Sequence, residues 1–514
     1  MLGAGDHDDH AAHRAPHAEL SVSTEPGRFR KTEALFARAL RVVPGGIHGH
    51  QSPLMLVPGA YPYFFARGQG AHVWDVDGNQ YIDLMCSYGP IVLGHNHPRV
   101  EEAARRQAAD GDCFNGPGRV WVELAEHLVG LTPWAAWTVF AKNGSDVCTW
   151  ATEVARAATG RRKVLAAKGA YHGAHAWCTP LPDGTTPEDR AHVVHYRYND
   201  LGSVDAALAA NSGDVAAIIV SPFRHDVFHD QEMSAPGFLP GLRERADRLG
   251  AVLVLDDVRA GFRLHLGGSG EHVGVQPDLA CYSKALGNGH AIAACLGREA
   301  LREAAMRVFF TGSFWTSAVA MAAAVACLKE LESSGAIAHM AQVGSTLRAG
   351  IERQAAAHHL EIRYSGPPAI PFMTFVADEG SFERSRVFAA ACAAHGVYLH
   401  PHHNWFISAG RASWSACSPI SPATAKRSET GIRSRPASAA RHCAMRPAGF
   451  SSPARTGRAP CRWRRRSPVC ASSRRRTGSG TWPQSARSYA AAWSGRPPRT
   501  VSRCDPAAPR PFPS

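Results

Sequence analysis

From residue 98 onward the chain repeats one unit: a stretch of helical period, then a short apolar run closed by polar or charged residues. Helical spacing predicts helices over 98–111, 118–130 and 145–159, and the apolar runs predict strands near 137–141, 163–167, 215–221, 251–256 and 279–283. Runs such as AAIIV at 216–220 and AVLVL at 251–255 have no polar alternate positions, so both of their faces must be covered. Strands of that kind alternating with helices predict an α/β fold, a mainly parallel sheet with helices on both faces.

The flanks read differently. Phe29 to Val43 carries apolar residues at helical spacing until PGG at 44–46 ends it, and residues 63–83 alternate around a turn at Asp77-Gly78, predicting two strands of a small antiparallel unit. Residues 316–333 predict a strong helix, and 334–410 alternates helix and strand again. We therefore expect a large domain over 91–325 and a smaller α+β domain built from 28–90 and 326–410, that is, from both chain ends. Residues 1–27, polar and His-rich, read as a disordered leader.

Charge separates the remainder. The chain of 514 residues carries a net +13, but 411–514 alone holds 20 Arg and one Lys against Glu429 and Asp505, leaving −6 for residues 1–410. A nucleic-acid partner is therefore not expected of the patterned part. The 411–514 segment is a low-complexity mixture of Arg, Ser, Pro and Ala without period 2 or 3.6, yet it contains four Trp and five Cys. We read it as a shifted reading frame of a GC-rich gene, the alternative being a genuine basic arm; the other two frames of the DNA decide between them. On that reading the 326–410 unit is incomplete. Its closing strand, expected at 397–410, then lacks a covering helix, so Tyr398, Trp405 and Phe406 should be partly exposed.

The 13 cysteines form no CxxC pair, and no run of eighteen apolar residues occurs. These features suit a cytoplasmic protein with reduced thiols and no membrane span. The histidines (His48, His50, His95, His97 and the leader cluster) show no HExxH or facial-triad spacing, so no metal site is expected.

In parallel α/β sheets ligands sit beyond the carboxyl ends of the strands, and three such ends carry chemistry here. After Phe140, Lys142-Asn143-Gly144-Ser145-Asp146 opens a helix whose first N–H groups offer an anion site, though such residues are more often only a cap. The run 251–255 delivers Asp256 and Asp257, costly there unless a cation meets them. The run 279–283 delivers Lys284 into a Gly- and Asn-rich loop, where a desolvated amine is biased toward its neutral, imine-forming state.

Taken together with PGG at 44–46, AHVWDVDGNQYIDL at 71–84, SYGPIVLGHNHP at 87–98, KNGSD at 142–146, YHG at 171–173, LVLDDVRAGFR at 253–263 and SKALGNG at 283–289, the chain from about 30 to 409 resembles the fold-type I pyridoxal-phosphate (PLP) enzymes. The particular resemblance is to class III aminotransferases of the glutamate-1-semialdehyde aminomutase-like group. It implies pyridoxal 5'-phosphate as cofactor, with Lys284 as the catalytic lysine that binds its aldehyde and Asp256 as the partner of its ring nitrogen. It further implies Tyr171 and Val258 on the two ring faces and Gly144 and Ser145 at the phosphate. Ser313 falls where the family places a residue reaching the neighbouring subunit's phosphate, which implies a homodimer with shared sites.

Three departures from the family pattern stand out, the first two bearing on substrate and the third a mild change. The aminomutase's arginine after PGG has no counterpart in IHGHQSP at 47–53, the acidic EPV stretch becomes SPFRHD at 221–226, and DEV becomes Asp256-Asp257-Val258. The expected reaction is transfer of an amino group between a donor amino acid and a carbonyl, the latter hydroxylated or sugar-like. The intramolecular 2,1-aminomutase is the alternative, and an inactive truncated product or a binding protein using the basic tail is the reading from outside enzymology.

Overall fold

The computed structural model describes residues 27–410 except 50, 51, 54, 55, 58, 182, 227 and 379, so the leader through 26 and the 411–514 segment, with the readings made for them, lie outside the described residues. In chain order the strands are β1 (Phe65–Gln69), β2 (His72–Asp75), β3 (Gln80–Asp83), β4 (Trp137–Ala141), β5 (Lys163–Ala167), β6 (Val193–Tyr196), β7 (Val215–Val220) and β8 (Phe223–Arg224). They continue as β9 (Glu232–Met233), β10 (Val252–Asp256), β11 (Leu279–Tyr282), β12 (Ala293–Gly297), β13 (Ile362–Ser365), β14 (Phe372–Phe375) and β15 (Val397–Tyr398).

Seven of these form one sheet in the order β4-β12-β11-β10-β7-β5-β6. Pairing is parallel from β6 through β5, β7 and β10 to β11, and only β12 runs antiparallel to its neighbours β11 and β4. The apolar runs are the reason: β7, β10 and β11 are buried along their whole length, with helices such as Gly144–Thr159 and Phe238–Leu249 packed against the sheet. The first and third of the expected helices are Pro98–Asp110 and Gly144–Thr159, the second Val120–Leu131, and the 316–333 helix is Ala318–Ser334. Two strands have no clear signature in the sequence. β6 is a half-buried edge containing His195, and β12 is the short run AACLG, where a Cβ on Gly297 would overlap the Trp137 ring.

A second sheet has the order β1-β2-β3-β15. The expected pair of strands at 63–83 is in fact three, because the chain also reverses at Gly70, with φ +55°. The Asp77-Gly78 turn is where it was expected, braced by Asp75, whose carboxylate accepts from the backbone and side chain of Asn79 and from the Tyr81 hydroxyl, each at 2.8 Å. β15 pairs in parallel with β3 and so joins residues 397–398 to 82–83.

The expected long strand at 397–410 is corrected. Only Val397–Tyr398 is strand, and 399–410 follows an irregular path that is nevertheless buried, with Trp405 1% and Phe406 0% exposed. Partial exposure holds for Tyr398 alone. The physical reason is that cover comes from earlier elements: Trp405 N–H donates to Pro371 O (2.7 Å), Phe406 N–H to Leu84 O (2.8 Å), Ile407 N–H to Ala369 O (3.0 Å) and Ala409 N–H to Val92 O (2.7 Å). The segment is thus bound on two sides by elements that precede it in the chain. Trp405→Ala is expected to cost about 3–5 kcal/mol by removing a fully buried indole, read as a lowered denaturant midpoint at unchanged slope; a loss under about 1 kcal/mol would show that this segment is not part of the core.

Candidate active site

The carboxyl ends of the parallel strands open onto one cleft of ≈ 330 Å³, lined among others by Lys142, Asn143, Gly144 and Ser145 after β4, Tyr171, His172 and Gly173 after β5, His225 after β7, Asp256, Val258 and Arg259 after β10, and Ser283 and Lys284 after β11. Residues 289–292, which lead into the reversed strand β12, close one side. The residues assigned to the cofactor in the sequence therefore meet in one place, except Ser313. That residue is exposed in a turn ahead of helix Ala318–Ser334 and does not line this chain's own cleft.

The adjacent acids at the end of β10 part company, because successive residues point to opposite sides. Asp256 faces the cleft, where His172 Nδ1 lies 2.7 Å from its Oδ2 and both side chains are buried. Asp257 turns away and is held by the backbone N–H of Ser269 (2.6 Å) and by its hydroxyl; burial pushes its carboxyl up to about 7 in spite of those bonds. Only one of the pair is available to a ligand.

Lys284 follows β11 with φ +46°, at the start of a short 3-10 turn. Burial, then the charges of Arg259 and Arg263, push its ammonium down to about 7, against the opposing pull of Asp256. The sign follows directly. Below about 7 the protonated lysine is a cost to the folded state, and stability rises with pH from there toward the ordinary lysine value near 10.5, as the folded chain gives up a proton the unfolded chain keeps. Near neutrality a substantial fraction of the amine is free to attack a carbonyl.

The loop over this lysine is positioned by residues that the sequence motifs contain without explaining. Gly89, φ +111°, leaves room for the lysine: a Cβ there would lie 3.0 Å from the Phe406 ring and 3.3 Å from Lys284 Cδ. Arg263, fully buried, donates through Nη2 to Gly89 O (2.9 Å) and Ile91 O (2.8 Å) and through Nη1 to Ile407 O. Asn288 accepts from Val92 N–H (3.0 Å) and Leu93 N–H (2.8 Å) and donates to Gly94 O (3.0 Å). The GFR, SYGPIVLG and SKALGNG motifs are in this sense one structural unit.

At the other end of the cleft Gly144 begins a sixteen-residue helix. A Cβ on Gly144 would stand 2.7 Å from Val258, so only glycine lets the helix start this close to that side chain. Asp146 folds back to accept from Asn143 N–H (2.9 Å), Ser145 Oγ accepts from Ala174 N–H (3.0 Å), and Gly173, φ +135°, allows that loop to approach. The first N–H groups of the helix, aligned with its dipole, remain for an anion. Tyr171 borders the same cleft half-buried, its phenol pushed above the usual value by burial.

His172 and His225 emerge here as cleft residues. The former is inside a motif whose tyrosine draws attention first. The latter comes from the SPFRHD departure, of which Arg224 and Asp226 pair with each other at 2.6 Å and only His225 lines the cleft. Nothing in spacing announces the Asp256–His172 contact, since the partners are 84 residues apart.

An amine biased toward neutrality, a buried carboxylate held by a histidine, an apolar and an aromatic side chain, and a helix start made for an anion match the parts of pyridoxal 5'-phosphate in turn: aldehyde, ring nitrogen, ring faces and phosphate. The fold and this constellation are those of a PLP-dependent enzyme of fold type I. The chain belongs to the class-III aminotransferases, whose family model matches residues 57–410. It is 46% identical over 372 residues to the aminopentol aminotransferase of Sphingopyxis macrogoltabida, covering 72% of this chain and 88% of that one. It is 36% identical to the glutamate-1-semialdehyde 2,1-aminomutase of Roseiflexus castenholzii, covering 72% and 90%. Among solved structures, the PLP internal aldimine form of the FumI protein of a Sphingopyxis species superposes with a TM-score of 0.75 at 43% identity, over 78% of this chain and 96% of that one. The protein is accordingly a PLP-dependent transferase of amino groups. Among the described residues no helix is long and apolar enough to cross a membrane, and no group of three or more His, Cys, Asp or Glu is placed to hold a metal ion.

Proposed function

We propose that this aminotransferase moves an amino group between a donor amino acid and a hydroxylated carbonyl compound, with Lys284 and Asp256 as its catalytic residues. The observation that carries the assignment of residues is the convergence of Lys284, Asp256 and the Gly144 helix start in a single cleft. When bound, the cofactor supplies an aldehyde that condenses with amines and a ring that takes up electron density from the substrate carbon. Lys284 holds that aldehyde while no substrate is present and afterwards takes and returns the proton at the amine-bearing carbon, work suited to an amine that titrates near neutrality. Asp256, oriented by His172, keeps a proton on the ring nitrogen. Val258 and Tyr171 bracket the ring, and Gly144 and Ser145 bind the phosphate through backbone N–H and hydroxyl.

The substrate class is supported by the absence of an arginine in IHGHQSP and by the relative that acts on an aminopentol. The domain division and the homodimer belong to the same proposal. The seven-stranded sheet draws all its strands from 137–297, while the four-stranded one takes them from 65–83 and 397–398, which supports a large domain over 91–325 and a small one from 28–90 and 326–410. Exposed Met306, Phe309 and Phe314 flank Ser313, which supports a subunit interface through which Ser313 reaches the partner's phosphate site. The thirteen cysteines form no CxxC pair, which supports a reducing, cytoplasmic compartment.

The aminomutase relatives favour one competing reading. Holoenzyme given an amine donor and no acceptor distinguishes them: a transaminase bleaches its visible cofactor band stoichiometrically and releases the oxo product, whereas a mutase holds its intermediate and releases none. Absence of released oxo product with every donor tried would overturn the transaminase reading.

A further inference from the structure

Arg259 is the one guanidinium among the described residues that line the cleft, and it is 6% exposed. No carboxylate lies within ion-pair distance of it among the described residues. Its Nη1 donates to Asn404 Oδ1 and faces His403 Nε2 at 3.4 Å, its Nε has no hydrogen-bond partner, and its charge lies 6.0 Å from the centre of the Phe406 ring. Beside it His225, 7% exposed, lines the same cleft with Nδ1 likewise unpartnered. Val258, one residue earlier, packs toward Gly144, so Arg259 is turned to the opposite wall, formed by 403–406, away from the helix start that suits the phosphate.

A buried guanidinium without a counter-charge is costly, and here it stands near an amine that must itself shed a proton. An anionic ligand supplies the missing counter-charge, and planar carboxylate matches the guanidinium fork. We propose that Arg259, with His225 as a second donor, receives the carboxylate of the amino acid and 2-oxo acid pair, while the hydroxylated partner uses the same cleft without that contact. The inference rests on the transaminase reading. It makes Arg259 the substitute for the arginine missing from 47–53 and explains how one site serves a carboxylate substrate and one that lacks it.

The test compares holoenzyme and its Arg259→Gln and Arg259→Lys forms in half-reactions with L-alanine and with 3-amino-2-butanol, an amine without a carboxylate. The rate ratio of L-alanine to 3-amino-2-butanol is expected to fall on the order of 100-fold in Arg259→Gln, largely in KM, with partial recovery in Arg259→Lys. Propionate, titrated calorimetrically into holoenzyme, should bind the native protein and not Arg259→Gln. An unchanged ratio, or equal propionate binding by both, overturns the proposal while leaving the transaminase reading intact. A native enzyme that converts no amine overturns both.

Discussion

Lys284→Ala leaves a folded protein that takes up pyridoxal phosphate without covalent attachment and performs no measurable turnover. The reason is positional: among the residues at the strand ends Lys284 combines a primary amine, burial and an ammonium pushed down to about 7, and alanine removes both the attachment point and the proton carrier. Loss of general acid–base function alone removes about 10²–10⁴-fold of rate. Borohydride reduction followed by peptide mapping is the measurement. The native chain should carry the reduced cofactor on the peptide containing residue 284, and the variant on none. Trapping at another lysine in the variant, above all Lys142, which lines the same cleft with its ammonium lowered by burial, would move the attachment site and refute the assignment. In the native apoprotein, covalent uptake should accelerate as pH rises through about 7, because the neutral amine is the attacking form.

Asp256→Asn should lower kcat on the order of 10²–10³-fold with little change in stability. Asparagine keeps the shape and still offers an oxygen to His172 Nδ1, so the 2.7 Å contact survives while the negative charge that holds a proton on the ring nitrogen is lost. The cofactor's absorbance distinguishes this from a packing defect: its band should shift and its pH dependence change while the unfolding midpoint stays within a degree or two. A variant retaining more than a third of native kcat would show that the ring nitrogen is not served by this carboxylate. The corresponding change at Asp257 tests the division of labour at the end of β10. The Asp257 carboxylate is held by Ser269 away from the cleft, and Asp257→Asn should affect stability far more than the spectrum.

The two predictions draw on features of very different legibility. That Asp256 and Lys284 stand at strand ends could be read from VLVLD and LACYSK, because an uninterrupted apolar run must be buried on both faces and the first polar residue after it marks where the strand leaves the sheet. That a helix opens after KNGSD was equally local, written in the change from a short apolar run to a 3.6-residue period. Elements of weak apolar contrast were not legible: β12, AACLG, carries one leucine among small residues, and its Gly297 leaves room for the Trp137 ring. The segment 399–410 was misjudged for a related reason. A local reading asks which neighbour in sequence covers an apolar stretch, whereas Trp405, Phe406 and Ile407 are covered by residues 84–92 and 369–371.

Sequence by itself therefore determined the class of fold, the strand ends and the identity of the groups presented there, since these depend on burial over five to fifteen consecutive residues. Tertiary structure decided which of those groups meet. The choice of Asp256 over Asp257, its union with His172, the loop held over Lys284 by Arg263 and Asn288, and the guanidinium of Arg259 against the 403–406 wall are all contacts between segments far apart in the chain. Their geometry follows from the order β4-β12-β11-β10-β7-β5-β6, and a strand order is set by the packing of whole layers, which no local pattern encodes.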